Sequence, residues 1–144
     1  LTNFFKELNI MKLNKIIDDY VVSDQIKTEE ITIIKNKGFK TIFCNRPDSE
    51  EVNQITVKSI QDQADKDGLN FIHQPVIGGQ ITQQDVDLFK AHYASAEKPI
   101  FAYCRSGTRS SMLWALSESS VRPIDEILKL TTAAGYNLSN LFKK

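Results

Sequence analysis

The chain has 144 residues, 41% of them hydrophobic and 25% charged, and its 18 Lys+Arg balance its 18 Asp+Glu to a formal net charge of zero. This describes one globular domain large enough to bury a core without metal or disulfide staples. It excludes a polyanion binder acting through bulk charge, and no apolar run approaches the roughly 20 residues of a membrane span. Two cysteines, Cys44 and Cys104, and two histidines, His73 and His92, are too few for a disulfide framework or a dedicated zinc site. No cofactor, metal, nucleic-acid or membrane partner is expected. The chain begins at Leu1 rather than Met, so its first residues leave the compartment open. Cytoplasmic is the default expectation, and the oligomeric state is undetermined.

Helix and strand signals alternate, without repeats, linkers or low-complexity stretches. Residues 20–26, "YVVSDQI", read as a first strand. Thr28 then caps a helix, with Glu29 and Glu30 in its first turn and Gly38 just past its end. "KTIFC" (40–44) is β-branched and aromatic, a buried strand. "NRPDSEE" (45–51) is a turn in which Asp48 precedes Glu51 by three residues, a variant of the capping box. A long helix to about Lys66 follows, ended by Gly68, and then a strand "LNFIHQPV" (69–76). Thr82 caps a helix with the apolar stripe Val86, Phe89, Tyr93. "IFAYC" (100–104) is a further strand, a helix runs to about Ser117, and Pro123 opens a last helix ending at Gly135. The fold class is α/β: a mainly parallel sheet of four to five strands flanked by helices, in a single domain over residues 1–144. Such sheets bind ligands at the carboxyl ends of their strands. Cys44, Cys104, "NRPD" and "IGGQ" all fall at that edge.

"YCRSGTRSS" (103–111) joins the last strand to a helix. Gly107 can adopt positive φ, and successive N–H groups entering a helix form an anion-binding nest. The amides of Ser106, Gly107 and Thr108 are candidate oxyanion donors. Arg109 adds a planar two-pronged contact, and Ser110 offers a hydroxyl to the sulfur. The same field favours a thiolate on Cys104, a nucleophile facing an anion cradle. The competing reading is a buried, inert cysteine followed by a polar turn.

At these residues the chain resembles two families, the cysteine-dependent phosphatases of the dual-specificity type and the rhodanese sulfurtransferases. Phosphatase loops are one residue longer between cysteine and arginine and carry a histidine before the cysteine, so the loop itself looks more like a rhodanese. The helical tail after it, "TIFCNRPDSEE" and "HQPVIGGQITQQDVDLF" resemble dual-specificity phosphatases. Together with "AAGYNLS", these stretches resemble a bacterial phosphatase-like domain also found fused to beta-lactamase-like hydrolases. The resemblance covers roughly residues 12–142. It implies a dual-specificity-phosphatase-like fold and hydrolysis of phosphate monoesters through a phosphocysteine on Cys104. Its partner would be a phosphorylated small molecule or a phosphopeptide. The alternatives are a sulfurtransferase carrying a persulfide on Cys104, fed by a sulfane-sulfur donor, and a non-catalytic oxyanion-binding regulatory module.

A phosphatase also needs an acid to protonate the leaving oxygen. The resemblance places an aspartate after the His-x-Pro segment, where this chain has Ile77-Gly78-Gly79-Gln80 and no carboxylate. Asp48, at the same sheet edge, is the substitute, with helix capping as its competing role. Asp85 is a weaker candidate that fits a first-turn helix position. Arg46 adds positive potential beside Arg109 or is a solvated turn residue, and Arg105 points outward to the substrate rim. His73 reads as a strand-end residue and His92 as exposed. Trp114 and Tyr93 read as packing. Cys44 is strand filler or the partner of Cys104 in a disulfide or persulfide relay.

Overall fold

The computed structural model describes residues 11–143. Five strands form one sheet: β1 (Asn14–Ile17), β2 (Tyr20–Ser23), β3 (Thr41–Cys44), β4 (Asn70–His73) and β5 (Ile100–Tyr103). Their order is β1-β2-β5-β3-β4, with β1 antiparallel to β2 and every other pair parallel. The helices are α1 (Ile31–Asn36), α2 (Val57–Lys66), α3 (Gln83–Ser95), α4 (Thr108–Glu118) and α5 (Ile124–Ala133). The expected mainly parallel α/β sheet is present. Among the described residues no helix is long and apolar enough to cross a membrane.

Side chains alternate across the central strands, and both faces are covered. Ile42, Cys44, Phe101 and Tyr103 pack with Ile31, Ile34, Ile60 and Ala64 of α1 and α2. Tyr20, Val22, Phe43, Ile100 and Ala102 pack with Phe89, Leu113, Trp114 and Ile127 of α3, α4 and α5. A sheet buried on both faces explains why β3 and β5 read as continuous apolar runs. Trp114 is buried as expected, whereas Tyr93 and His92 are half-buried, His92 against the edge of the Phe43 ring.

Several boundaries move. The expected first strand is β2, shortened to four residues, and β1 precedes it as an edge strand. Lys27, not Thr28, is the N-cap of a short 3-10 turn that leads into α1. The helix expected directly after Asp48 starts only at Val57, capped by Thr56, whose hydroxyl accepts from the Ser59 N–H. Residues between them form an irregular loop in which Ser49 and Asn53 take left-handed φ of 64°. Glu51 does not complete a capping box with Asp48. Instead Asp48 Oδ1 accepts from the Val57 N–H at 2.8 Å, capping α2 from nine residues away. Pro123 lies at the N-cap of α5 rather than inside it. Asp85 forms a capping box with Thr82, which accounts for it without catalysis.

Registry places the site. Ser23 is level with Tyr103, Tyr103 with Cys44, and Cys44 with His73. Four parallel strands thus stop in one row, and Asp24, Cys104, Asn45 and Gln74 open their loops side by side.

Phe89 anchors the second face, its ring edge-on to Tyr20 and Phe43 at 5.8 Å each and stacked on Tyr93 at 6.0 Å. Phe89→Ala should lower the unfolding free energy by about 3–5 kcal/mol in urea titration. A loss below about 1 kcal/mol would mean the cluster collapses around the gap.

Candidate active site around Cys104

The chain leaves β5 at Tyr103 and enters α4 at Thr108, with Gly107 as N-cap at φ 98°, ψ −11°. The left-handed angle favours glycine, and space demands it as well. A Cβ on Gly107 would lie 2.1 Å from the Tyr136 hydroxyl and 2.9 Å from Val22 Cγ1. Held this way, the Gly107 N–H points at Cys104 Sγ, 3.1 Å away. Cys104 is buried, which keeps bulk water off the sulfur. The Thr108 N–H meets the Ser106 hydroxyl at 3.4 Å.

Ser110 does not make the expected bond to sulfur. The Asn45 amide nitrogen donates to the Gln74 carbonyl at 3.0 Å, so Asn45 Oδ1 must accept, and the buried Ser110 hydroxyl donates to it at 2.8 Å. Asn45 thereby stitches together the loops after β3, β4 and β5. Ser110 positions the start of α4 rather than the thiol.

Arg109 is the most organised group. Its Nη1 donates to Glu50 Oε2 at 2.7 Å and its Nη2 to Glu50 Oε1 at 2.8 Å. Nη1 also donates to the Val76 carbonyl at 2.9 Å. Glu50 therefore grips the guanidinium end-on, while Val76 takes the Nη1 hydrogen on the far side. What remains is the edge carrying Nε–H and the outer Nη2 hydrogen, and among the described residues no oxygen accepts from it. The guanidinium neighbours Cys104. A planar cation with one edge fixed and a parallel pair of donors left over matches two oxygens of a tetrahedral anion.

Glu50 was not singled out from sequence. It lies in a polar run and meets Arg109 from 59 residues away, a relation no local pattern records. The Arg109 hydrogen bond, reinforced by Arg46, lowers its pKa from 4.5 to about 2. The same bond raises that of Arg109.

Arg46 is neither solvated nor aimed at the anion site. It is buried, donating from Nε to Glu50 at 2.9 Å and from Nη1 to Gln25 Oε1 at 2.9 Å. Its Nη2 is 3.2 Å from Glu51. It steadies Glu50 and acts on Arg109 through that carboxylate. Arg105 is exposed, as expected of a rim residue, and pairs with Glu51 at 2.6 Å. His73 Nε2 donates to the Arg46 carbonyl at 3.0 Å. Both cysteines are free thiols. Cys44 packs in the first layer, its thiol on the Arg46 carbonyl at 3.4 Å, and burial pushes its pKa up. Cys44 thus packs as strand filler, within electrostatic reach of Cys104.

A strand–cysteine loop–helix unit on a mostly parallel sheet, followed only by helices among the described residues, defines the protein-tyrosine and dual-specificity phosphatase-like fold class. Residues 12–121 match the family described as "Beta-lactamase hydrolase-like protein, phosphatase-like domain", and the chain belongs to that family. A beta-lactamase hydrolase-like protein of Xylella fastidiosa is 36% identical over 130 residues, which cover 89% of this chain and 30% of that protein. The match thus spans under a third of this curated relative. A crystal structure from Neisseria meningitidis, provisionally assigned as a phosphatase, is 39% identical with a TM-score of 0.80, covering 90% of this chain and 92% of that one. The catalytic core of a PP-IP phosphatase from S. cerevisiae, solved with citrate, shares the fold at a TM-score of 0.67 and 13% identity, over 88% of this chain and 77% of that one.

The depressed Glu50 pKa fixes a sign. A carboxylate lowered on folding stabilises the protein above its unfolded pKa and loses that contribution as pH falls through the folded value. The Glu50–Arg109 contribution is complete at neutral pH and fades from about 4.5 down to about 2. The stability gap between wild type and Glu50→Gln, measured by urea unfolding, should be largest at neutral pH and shrink across that window. A gap independent of pH would mean the pair is not formed in solution.

Proposed function

We propose that the domain is a cysteine-dependent hydrolase of phosphate monoesters. The observation that carries this is the division of labour on Arg109: Glu50 and Val76 hold one side, leaving a two-pronged edge beside Cys104. Cys104 Sγ attacks phosphorus, the P–O bond to the leaving group breaks, and a phosphocysteine forms. Water then cleaves the P–S bond, releasing inorganic phosphate and restoring the sulfur. Arg109 stabilises the equatorial oxygens, and the Gly107 N–H stabilises charge on the sulfur, both in place before the reaction. The membership of a phosphatase-like family supports this reading. So does the activity named for the S. cerevisiae neighbour, at the level of fold.

A sulfurtransferase is the second reading, favoured by the four residues between Cys104 and Arg109. Against it, the described chain after the loop is helical, α4 then α5, with no further strand.

Products separate the readings. Wild-type protein should release phosphate from p-nitrophenyl phosphate, and Cys104→Ser should abolish that release. Thiocyanate from thiosulfate and cyanide, with no phosphate from the ester, would instead establish the sulfurtransferase. Phosphate binding without either product would make the domain a regulatory oxyanion binder.

Asp48 is the remaining carboxylate for leaving-group protonation, and its capping bond to Val57 makes the helix end its first duty. Asp48→Ala should therefore cost about 1 kcal/mol of stability, the usual value of an N-cap. It should slow aryl and alkyl phosphates alike. A selective loss on alkyl phosphates, whose alkoxide cannot leave without a proton, would identify Asp48 as the general acid.

A further inference from the structure

Beside the nucleophile loop lies a cavity of about 470 Å³ that the reaction above does not use. Lys12, Asn14, Ser106, Thr108 and Tyr136 line it, with Gly135 at the end of α5. Its position follows from the sheet. β1 runs antiparallel to β2, and Asn14 is level with Val22 near the carboxyl end of β2. Lys12 and Asn14 therefore stand at the same edge as Cys104. Ser106 and Thr108 belong to both the nucleophile loop and the cavity wall. A substrate whose phosphoryl group sits on the loop has this cavity as its neighbour.

The lining specifies a chemistry. Two hydroxyls, a carboxamide and a phenol supply donors and acceptors, with no large aliphatic side chain among them. These groups are also pre-set. Asn14 Nδ2 donates to the Tyr136 hydroxyl at 2.8 Å, that hydroxyl meets the Ser106 carbonyl at 3.3 Å, and the Ser106 hydroxyl donates to Thr108 Oγ1 at 3.1 Å. A fixed polar wall binds without paying again for rotamer order. Lys12 is the single cation of the lining, and among the described residues its one ion-pair partner, Asp24, stands at 3.8 Å with both side chains well exposed, 65% and 43%. An exposed pair at that distance is weak and exchanges readily for a ligand anion.

We infer that this cavity is the leaving-group subsite, and that it takes a hydroxyl-rich small molecule, a polyol or sugar, bearing a second anionic group read by Lys12. The inference rests on the phosphatase reading for its order of events, because the cavity becomes a substrate subsite only if Cys104 receives a phosphoryl group.

The test separates binding from turnover. Titration calorimetry on Cys104→Ser protein should show fructose bisphosphate binding about tenfold tighter than fructose monophosphate, the worth of one charge-assisted contact. Lys12→Met in the same background should erase that difference. In protein with Cys104 intact, kcat/KM should be higher for the bisphosphate than for a phosphotyrosyl peptide, and Lys12→Met should lower it relative to kcat/KM for p-nitrophenyl phosphate. Equal affinities for the two sugar phosphates, unmoved by Lys12→Met, would overturn the subsite. If p-nitrophenyl phosphate is still hydrolysed in that case, the phosphatase reading survives alone. Lys12-dependent binding without release of phosphate from any ester would do the reverse, leaving the anion pocket standing and removing the phosphatase reading.

Discussion

The site depends on one half-buried fork, the two-bond contact between Glu50 and Arg109. An arginine side chain has many rotamers, and ordering it costs entropy that a bound anion would otherwise have to supply. Glu50 meets that cost in the folded protein, and Arg46 in turn fixes Glu50. An ion pair open to water on its carboxylate side contributes only modestly to stability. The value of this one lies in orientation. It turns the guanidinium so that its second edge stands beside the sulfur. The irregular loop between β3 and α2 exists in this form because it must deliver Glu50 to that position.

The sheet supplies the rest of the placement. Level strand ends bring four loops together, and Asn45 joins three of them by its backbone and its two-sided amide. The Asn45 N–H donates to the Tyr103 carbonyl, the Gln74 N–H to the Cys44 carbonyl, and the Val76 N–H to the Asn45 carbonyl. Loop geometry at this edge is a continuation of strand pairing. That is how a loop outside the regular ladder holds a sulfur and an amide at hydrogen-bonding distance.

What the sequence disclosed follows the range of the interactions. β3 and β5 were legible because burial on both faces makes them unbroken apolar runs. The loop at Cys104 was legible because its glycine, arginine and hydroxyls are contiguous. β1 was not, since "NKII" is short, half polar and meaningful only once it pairs with β2. The late start of α2 was hidden because Asp48, a good cap by type, does its capping from nine residues away. Glu50 and Asn45 were invisible for the same physical cause: each acts through partners 59 and 65 residues distant. Ser110 was expected at the sulfur because it belongs to the same contiguous polar stretch, whereas the fold offers it a better acceptor in Asn45.

Tyr136 closes over Gly107 from the far end of the chain, past both helices that follow the loop. During synthesis, strands, cysteine and arginine all leave the ribosome before it does. A nascent chain exposed only as far as α5 holds the whole sheet, yet it lacks the phenol ring that seats the turn. The turn at Gly107 and the second-face core are therefore completed together, because Tyr136 belongs to both stretches of packing. Until Tyr136 has emerged, Cys104 and Arg109 flank a turn with no ring to seat it.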